Sequence, residues 1–309
     1  MCPGVAKSAG RRWDLSNDII LTGIPRSGTT LTCHLLNKVP NTVALHEPLL
    51  WDAVRDPTDH RTVCDGIDHF FRQTRESCLA SGTAITKHAR GAVPDNPMGN
   101  YPRHAAAVRL LSRLLPGADR LVAWGLRRPR VTRGAVRIGK PLAPGFSLCI
   151  KHTAPFTALL PELLRRHPCY AVVRDPVSVL ASWSSIHFAL RDGRNMEAER
   201  MHPELAHRLA AMPDRIDRQI HLLSWFCRAY LAWLPPDRIL RYEDIIRTRG
   251  KSLSAVIPEA ASLDEPLESR NKNGLYDREL MGRIATRLEA SDGPIWDLYR
   301  KDSIHEYIG

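Results

Sequence analysis

The residues with the most evident chemical potential form the run Gly23-Ile24-Pro25-Arg26-Ser27-Gly28-Thr29-Thr30. Its two glycines have the spacing of a phosphate-wrapping loop of the type G-x-x-x-x-G-K-[ST]. In such a loop, backbone N–H groups close around a phosphate at the positive end of a helix. The lysine of the pattern is absent: Thr29 stands in its place, and the nearby cation is Arg26. Arg26, Ser27, Gly28 and the Thr29 and Thr30 hydroxyls are therefore the expected phosphate cradle. Kinase chemistry relies on Mg²⁺ together with the loop lysine, so this loop predicts a different transferred group. Other reactive side chains close short apolar runs: Lys151 and His152 after Ser147, and Arg174 after Tyr170.

These groups need a frame. Asp18 to Gly23 reads as a buried parallel strand, and a helical pattern starts at Thr29, with Leu31, Leu35 and Leu36 on one face, and stops at Pro40. Ser147–Lys151 and Tyr170–Val173 read as further strands, with Phe156, Leu159, Leu160, Leu163 and Leu164 marking an amphipathic helix between them. Pro176 suits the first turn of a helix bearing Leu180, Trp183, His187 and Leu190. A longer stripe runs from Ile216 through Ile220, Leu223 and Cys227 to Leu231, and Ile239–Tyr242 reads as a strand. Strands alternating with helices predict an α/β fold, a three-layer αβα sandwich with a central parallel sheet, like that of P-loop NTPases. Residues 1–17 read as a polar tail and 18–309 as one domain, with an insertion over the active face at about 52–146. That stretch includes a helical patch at Ala105–Leu115. From Arg120 to Lys140 it is basic without an acidic residue.

Pro25-Arg26-Ser27-Gly28-Thr29-Thr30-Leu31 resembles the 5′-phosphosulfate loop of sulfotransferases that use 3′-phosphoadenosine 5′-phosphosulfate (PAPS). Val172 to Trp183, V-V-R-D-P-V-S-V-L-A-S-W, is similar to that family's 3′-phosphate element. The resemblance implies that Arg174 and Ser182 bind the 3′-phosphate, and charge-assisted bonds from a guanidinium suit that task. A sulfuryl group carries less negative charge than a phosphoryl group, so its transfer can proceed without a metal. The implied reaction is an in-line displacement on PAPS by an acceptor hydroxyl, releasing 3′,5′-adenosine diphosphate.

An alcohol needs a base. Leu45 to Trp51, L-H-E-P-L-L-W, resembles a segment of carbohydrate sulfotransferases whose glutamate is the base, which implies that role for Glu47. Burial is expected to raise its pKa towards neutrality, and His46 could hold it in place. Cys149 to Leu164 resembles the K-T-H-x-P region of soluble aryl and steroid sulfotransferases, which implies that Lys151 stabilises transition-state charge. The family's histidine position holds Thr153, and His152 precedes it; His152 is the competing base. Arg270 to Gly274, R-N-K-N-G, is similar to a loop that closes over the 3′-phosphate, and Arg241-Tyr242-Glu243-Asp244-Ile245 to a structural segment. Trp183 either stacks on adenine or packs in the core.

The chain has 309 residues, 43% hydrophobic, and a net charge of +11, which favours an anionic partner. Seven cysteines without a C-x-x-C spacing fit reduced thiols and a cytoplasmic location. No apolar run approaches the ~18 residues of a membrane span, and no metal-ligand spacing occurs. The expected acceptor is a small molecule or a carbohydrate, an acidic one being compatible with the basic insertion. Two rivals are a P-loop kinase or ATPase and a nucleic-acid-binding module built on Arg127, Arg128, Arg130, Arg133 and Arg137. The first lacks its lysine, and the second has only Trp124 near it for stacking.

Overall fold

The computed structural model describes residues 17–88, 132–186, 188–274 and 276–307. The tail through residue 16, the Ala105–Leu115 patch, Trp124, Arg127, Arg128, Arg130 and His187 lie outside the described residues.

Strand β1 (Asp18–Gly23) leads through the glycine loop into helix α1 (Thr29–Leu36) and strand β2 (Thr42–His46). Helix α2 (His60–Ser81) and strands β3 (Thr83–His88) and β4 (Thr132–Arg137) come next. Strand β5 (Ser147–Lys151) is followed by two short helices, α3 (Ala154–Ala158) and α4 (Leu160–Leu163). Strand β6 (Cys169–Val173) and α5 (Pro176–Ser184) precede α6 (Met196–Met201), α7 (Pro203–Ala210) and α8 (Arg215–Trp233). Strand β7 (Ile239–Arg241), α9 (Tyr242–Arg247) and α10 (Arg278–Glu289) complete the order.

Five strands form one parallel sheet in the order β2-β5-β1-β6-β7. Successive side chains on a strand point to opposite faces, and here both faces are buried. Ile20, Val43, Leu45, Leu148, Ile150, Ala171 and Val173 enter the larger core, with α2, α3, α5, α8 and α10. Their neighbours Ile19, Leu21, Ala44, Cys149, Tyr170, Val172 and Leu240 enter a second core with α1 and α9. That is the three-layer α/β architecture expected from the alternating elements. After β1 the chain moves outward to β2, and after β5 it crosses β1 to reach β6. The β1 carboxyl end is thus a topological switch point, where open α/β sheets bind ligands.

Three local expectations change. The pattern from Phe156 to Leu164 is two helices, because Pro161 cannot donate an i−4 hydrogen bond and its ring clashes with the preceding turn. The stripe beginning at Leu180 stops at Ser184, where the Ser185 hydroxyl donates to the Ser182 carbonyl (2.8 Å), and Leu190 is buried from a 3₁₀ turn at Ala189–Asp192. Within residues 52–146, α2 puts Val63, Cys64, Ile67, Phe71 and Cys78 into the larger core. Asp59 caps it, accepting from the Thr62 N–H (3.1 Å), and left-handed Gly82 ends it. Strands β3 and β4 pair antiparallel, and Thr86 fastens them to β2 through both backbone groups of His46.

Cys33, Cys64, Cys78, Cys149, Cys169 and Cys227 are buried free thiols. Among the described residues, no helix is long and apolar enough to cross a membrane.

Because Phe71 is fully buried, Phe71→Ala should destabilise the whole domain by about 3–5 kcal/mol. The urea midpoint should fall in the same transition that unfolds the sheet; a separate early transition would show that α2 is not part of the body.

Candidate functional site

Every site residue named from the sequence except Ser182 and Arg270 lies at or just beyond the carboxyl end of a parallel strand. The glycine loop follows β1, Glu47 follows β2, Lys151 and His152 end β5, and Arg174 follows β6.

The loop is pinned to its neighbours. A Cβ on Gly23 would sit 2.5 Å from the Val172 carbonyl oxygen, so only glycine allows this approach. The Ile24 N–H and the Ser27 hydroxyl both donate to that carbonyl, at 3.0 and 2.7 Å. Ser27 therefore shapes the loop with its side chain. Trp183 is fully buried, and its indole N–H donates to the Pro25 carbonyl (2.7 Å), so it is a core residue that also holds the loop. Arg26 has φ 76°, a left-handed conformation that costs about 1–3 kcal/mol for a non-glycine residue. Its Nε donates to the Ser182 hydroxyl at 3.1 Å, bringing the two phosphate-type elements into contact.

Helix α1 starts at left-handed Gly28 with no side-chain cap and no acidic residue in its first turn. Asp59, Asp175, Asn195, Asp214 and Asp277 cap α2, α5, α6, α8 and α10, while α3, α4, α7 and α9 share with α1 the lack of a side-chain cap. The first-turn N–H groups of a helix have no partner of their own, and those of α1 lie beside the Thr29 and Thr30 hydroxyls and Arg26. That donor set fits an anion.

Arg174 is buried and joins three chain segments. It donates from Nη1 to the Arg26 carbonyl (3.0 Å), from Nε to Asn271 Oδ1 (2.8 Å) and from Nη2 to the Arg270 carbonyl (2.5 Å). Its guanidinium carbon lies 4.6 Å from the centre of the Tyr242 ring. That ring also abuts Gly28, where a Cβ would come within 2.6 Å of Cδ2. The Tyr242 hydroxyl accepts from the Arg270 N–H (3.0 Å). Glu243 Oε1 accepts from the Asp175 N–H and the Asn271 amide, both at 2.9 Å, and Oε2 from the Tyr299 hydroxyl at 2.9 Å. The sequence reading singles out Arg174 as a ligand contact; the structure adds that three of its N–H groups anchor the loop and the 270–271 turn. The Arg270 guanidinium is 3.6 Å from Glu268 and partly exposed.

One strand beyond β1, Lys151 is buried with Nζ 2.7 Å from Glu47 Oε1, and Lys87 of β3 lies 2.5 Å from Oε2. His46 Nε2 is 3.6 Å from Oε1, and Arg133 Nε donates to the Glu47 carbonyl (3.2 Å). Glu47 has a left-handed φ of 47°. Burial by itself would raise its pKa, but attraction to Lys151, then His46 and Lys87, holds it well below the usual carboxylate range. The expected upward shift is thus overturned: two ammonium groups keep Glu47 ionised and lower its proton affinity. Lys87 is missed in the sequence because its carboxylate partner lies 40 residues away.

His152 is also corrected. It is buried, edge-on to Trp51 (5.1 Å between ring centres) and Phe156 (5.0 Å). The Leu49 N–H points at Nε2 (3.1 Å) and the Trp51 indole N–H at Nδ1 (2.9 Å). A neutral imidazole has one lone pair and answers one of these donors at a time; an imidazolium would face two N–H groups. Burial lowers its pKa well below the ordinary histidine value, with Lys151 and Lys87 adding to the effect against the pull of Glu47. Both ring nitrogens of His152 thus face protein N–H groups, the arrangement of a packed histidine.

No protein-family model matches the chain, and no curated protein matches it either. Among solved structures it is similar to the sulfotransferase domain of the olefin synthase of Synechococcus PCC 7002, at 16% identity over 84% of this chain and 80% of that one, with a TM-score of 0.32.

Glu47→Gln should destabilise the fold by about 3 kcal/mol, because it leaves buried Lys151 without its counter-charge. The double variant with Lys151→Met should recover most of that loss in thermal unfolding. The stabilisation from ionised Glu47 is complete above its unfolded pKa of about 4.5 and is lost as pH falls through its lower folded pKa. The gap between wild type and Glu47→Gln should therefore narrow only in acid below about pH 4.5.

Proposed function

We propose that this chain transfers a sulfuryl group from PAPS to an acceptor hydroxyl. The observation that carries the reading is the Arg26–Ser182 hydrogen bond, which links two cationic elements 156 residues apart at the carboxyl edge of the sheet. A nucleotide phosphorylated at both ends needs two anion sites, and the meeting of these two elements supports that reading.

The uncapped start of α1, Arg26 and the Thr29 and Thr30 hydroxyls take the 5′-phosphosulfate end, while Ser27 and Gly28 set the loop's curvature. The two N–H groups that Arg174 does not spend on its three protein acceptors, the Ser182 hydroxyl and the Arg270 guanidinium take the 3′-phosphate. Lys151, oriented by Glu47, stabilises charge on the sulfuryl oxygens as the bond to the 5′-phosphate lengthens. The acceptor oxygen attacks sulfur in line, and 3′,5′-adenosine diphosphate departs with the bridging oxygen. The acceptor is a small molecule or a carbohydrate. Glu47, the first base candidate in the sequence, serves in this scheme as the anion that fixes two lysines.

Thermal unfolding with nucleotides tests this. At about 100 times its Kd, 3′,5′-adenosine diphosphate should stabilise the protein by about 2.7 kcal/mol, and ADP, lacking the 3′-phosphate, by much less. Ser182→Ala should erase most of that preference, and Arg26→Gln should weaken both ligands. Equal stabilisation by the two nucleotides, or preference for ATP with Mg²⁺, would refute the assignment.

A further inference from the structure

The hairpin of β3 and β4 stands beyond β2, the edge strand of the parallel sheet. Thr86 seats it there: its hydroxyl accepts from the His46 N–H (2.8 Å) and donates to the His46 carbonyl (3.2 Å). Outward along the strand ends come the glycine loop on β1, Lys151 on β5, Glu47 after β2, and then the hairpin. Neighbouring strands lie about 4.8 Å apart, so β2 is about 10 Å from the strand that carries the phosphate loop, and the hairpin is farther still. Lys151 holds Oε1 of Glu47 from the β5 side, and Lys87 holds Oε2 from the hairpin. Opposite Lys87 in the antiparallel register stands Arg133, whose Nε donates to the Glu47 carbonyl (3.2 Å). Like charges directly opposed across a pair of strands are destabilising. Neither strand contains an acidic residue. Glu47 is the carboxylate that answers Lys87, and among the described residues the two Nη groups of Arg133 have no partner. Both side chains are only partly buried.

On the sulfuryl-transfer reading, which this inference presupposes, we propose that Arg133, with Lys87 beside it, is a subsite for a carboxylate on the acceptor, so that the acceptor is a hydroxy acid. The order of the strands separates two kinds of anion. A donor seated on the glycine loop and Arg174 extends its sulfuryl end towards Lys151, and the next cations outward meet the acceptor. With Nε spent on the Glu47 carbonyl, the Nη pair of Arg133 is the edge that remains, and two such groups match the two oxygens of a carboxylate. Lys87 has three N–H donors and uses one on Glu47. Glu47 therefore anchors the subsite twice, by its side chain to Lys87 and by its carbonyl to Arg133, and joins it to the lysine nearest the sulfuryl group. In the sequence Arg133 is one arginine among several; only the register with Lys87 and the bond to Glu47 single it out.

Matched probes test this on the full chain in complex with 3′,5′-adenosine diphosphate, with dissociation constants from NMR titration. One pair is 3-hydroxybenzoate and 3-hydroxybenzamide; the other is methyl glucuronide and methyl glucoside. In wild type the acid of one pair should bind about 10-fold tighter than its neutral partner, the worth of a charge-assisted hydrogen bond. The pair that responds distinguishes a small aromatic acid from an acidic sugar. Arg133→Gln keeps an N–H for the Glu47 carbonyl and should remove the preference by weakening the acid alone. Arg133→Lys should restore most of it. Thermal stabilisation by 3′,5′-adenosine diphosphate should be the same in all three proteins. Four results overturn the subsite: no acid preference in wild type, a preference that survives in Arg133→Gln, equal weakening of acid and neutral probe, or loss of nucleotide stabilisation in that variant, which assigns Arg133 to the donor. Each leaves the sulfuryl reading standing while wild type responds to the nucleotide; absence of that response in wild type removes both.

Discussion

The guanidinium of Arg174 is the point on which the rest of this edge depends. A buried arginine is tolerable only if its N–H groups find acceptors, and here they come from the glycine loop and the 270–271 turn. The Tyr242 ring supports the cation from one side and leaves no room for a side chain at position 28. Glu243 then ties the turn to the start of α5 and to Tyr299. One charge, satisfied by chain segments far apart in sequence, holds the backbone of the phosphate loop in register with the helix that carries Ser182.

Beside it, the cluster of Lys151, Glu47 and Lys87 has two cations for one carboxylate. Such an arrangement keeps a net positive charge facing an incoming anion and lowers the basicity of the carboxylate at its centre. A lysine–glutamate cluster can thus stabilise developing negative charge without accepting a proton.

Much of the frame was legible in consecutive residues. The strand–loop–helix from Asp18 to Leu36 and the strands at Ser147–Lys151 and Ile239–Arg241 were readable from apolar runs and glycine positions, as was the helix at Pro176. Helix α2 was hidden because its core residues recur about every fourth position among many charges, so composition read as surface while spacing read as helix. The break at Leu159 was written in Pro161, but the apolar periodicity across it masked the signal.

By itself, the sequence determined that a phosphate-type loop would sit at the end of a central strand, because strand, turn and helix propensities act over neighbouring residues. It also named Arg26, Arg174 and Ser182 as a set, although it could not say that Arg174 would spend three donors on the protein. The tertiary structure alone decided which charges surround Glu47. Whether a carboxyl near the site is a counter-ion or a base depends on burial and on charges a few ångströms away, and folding brings those together from residues 46, 47, 87 and 151. Coulomb energy and desolvation scale with distance in space, and the chain order of these residues carries no record of it.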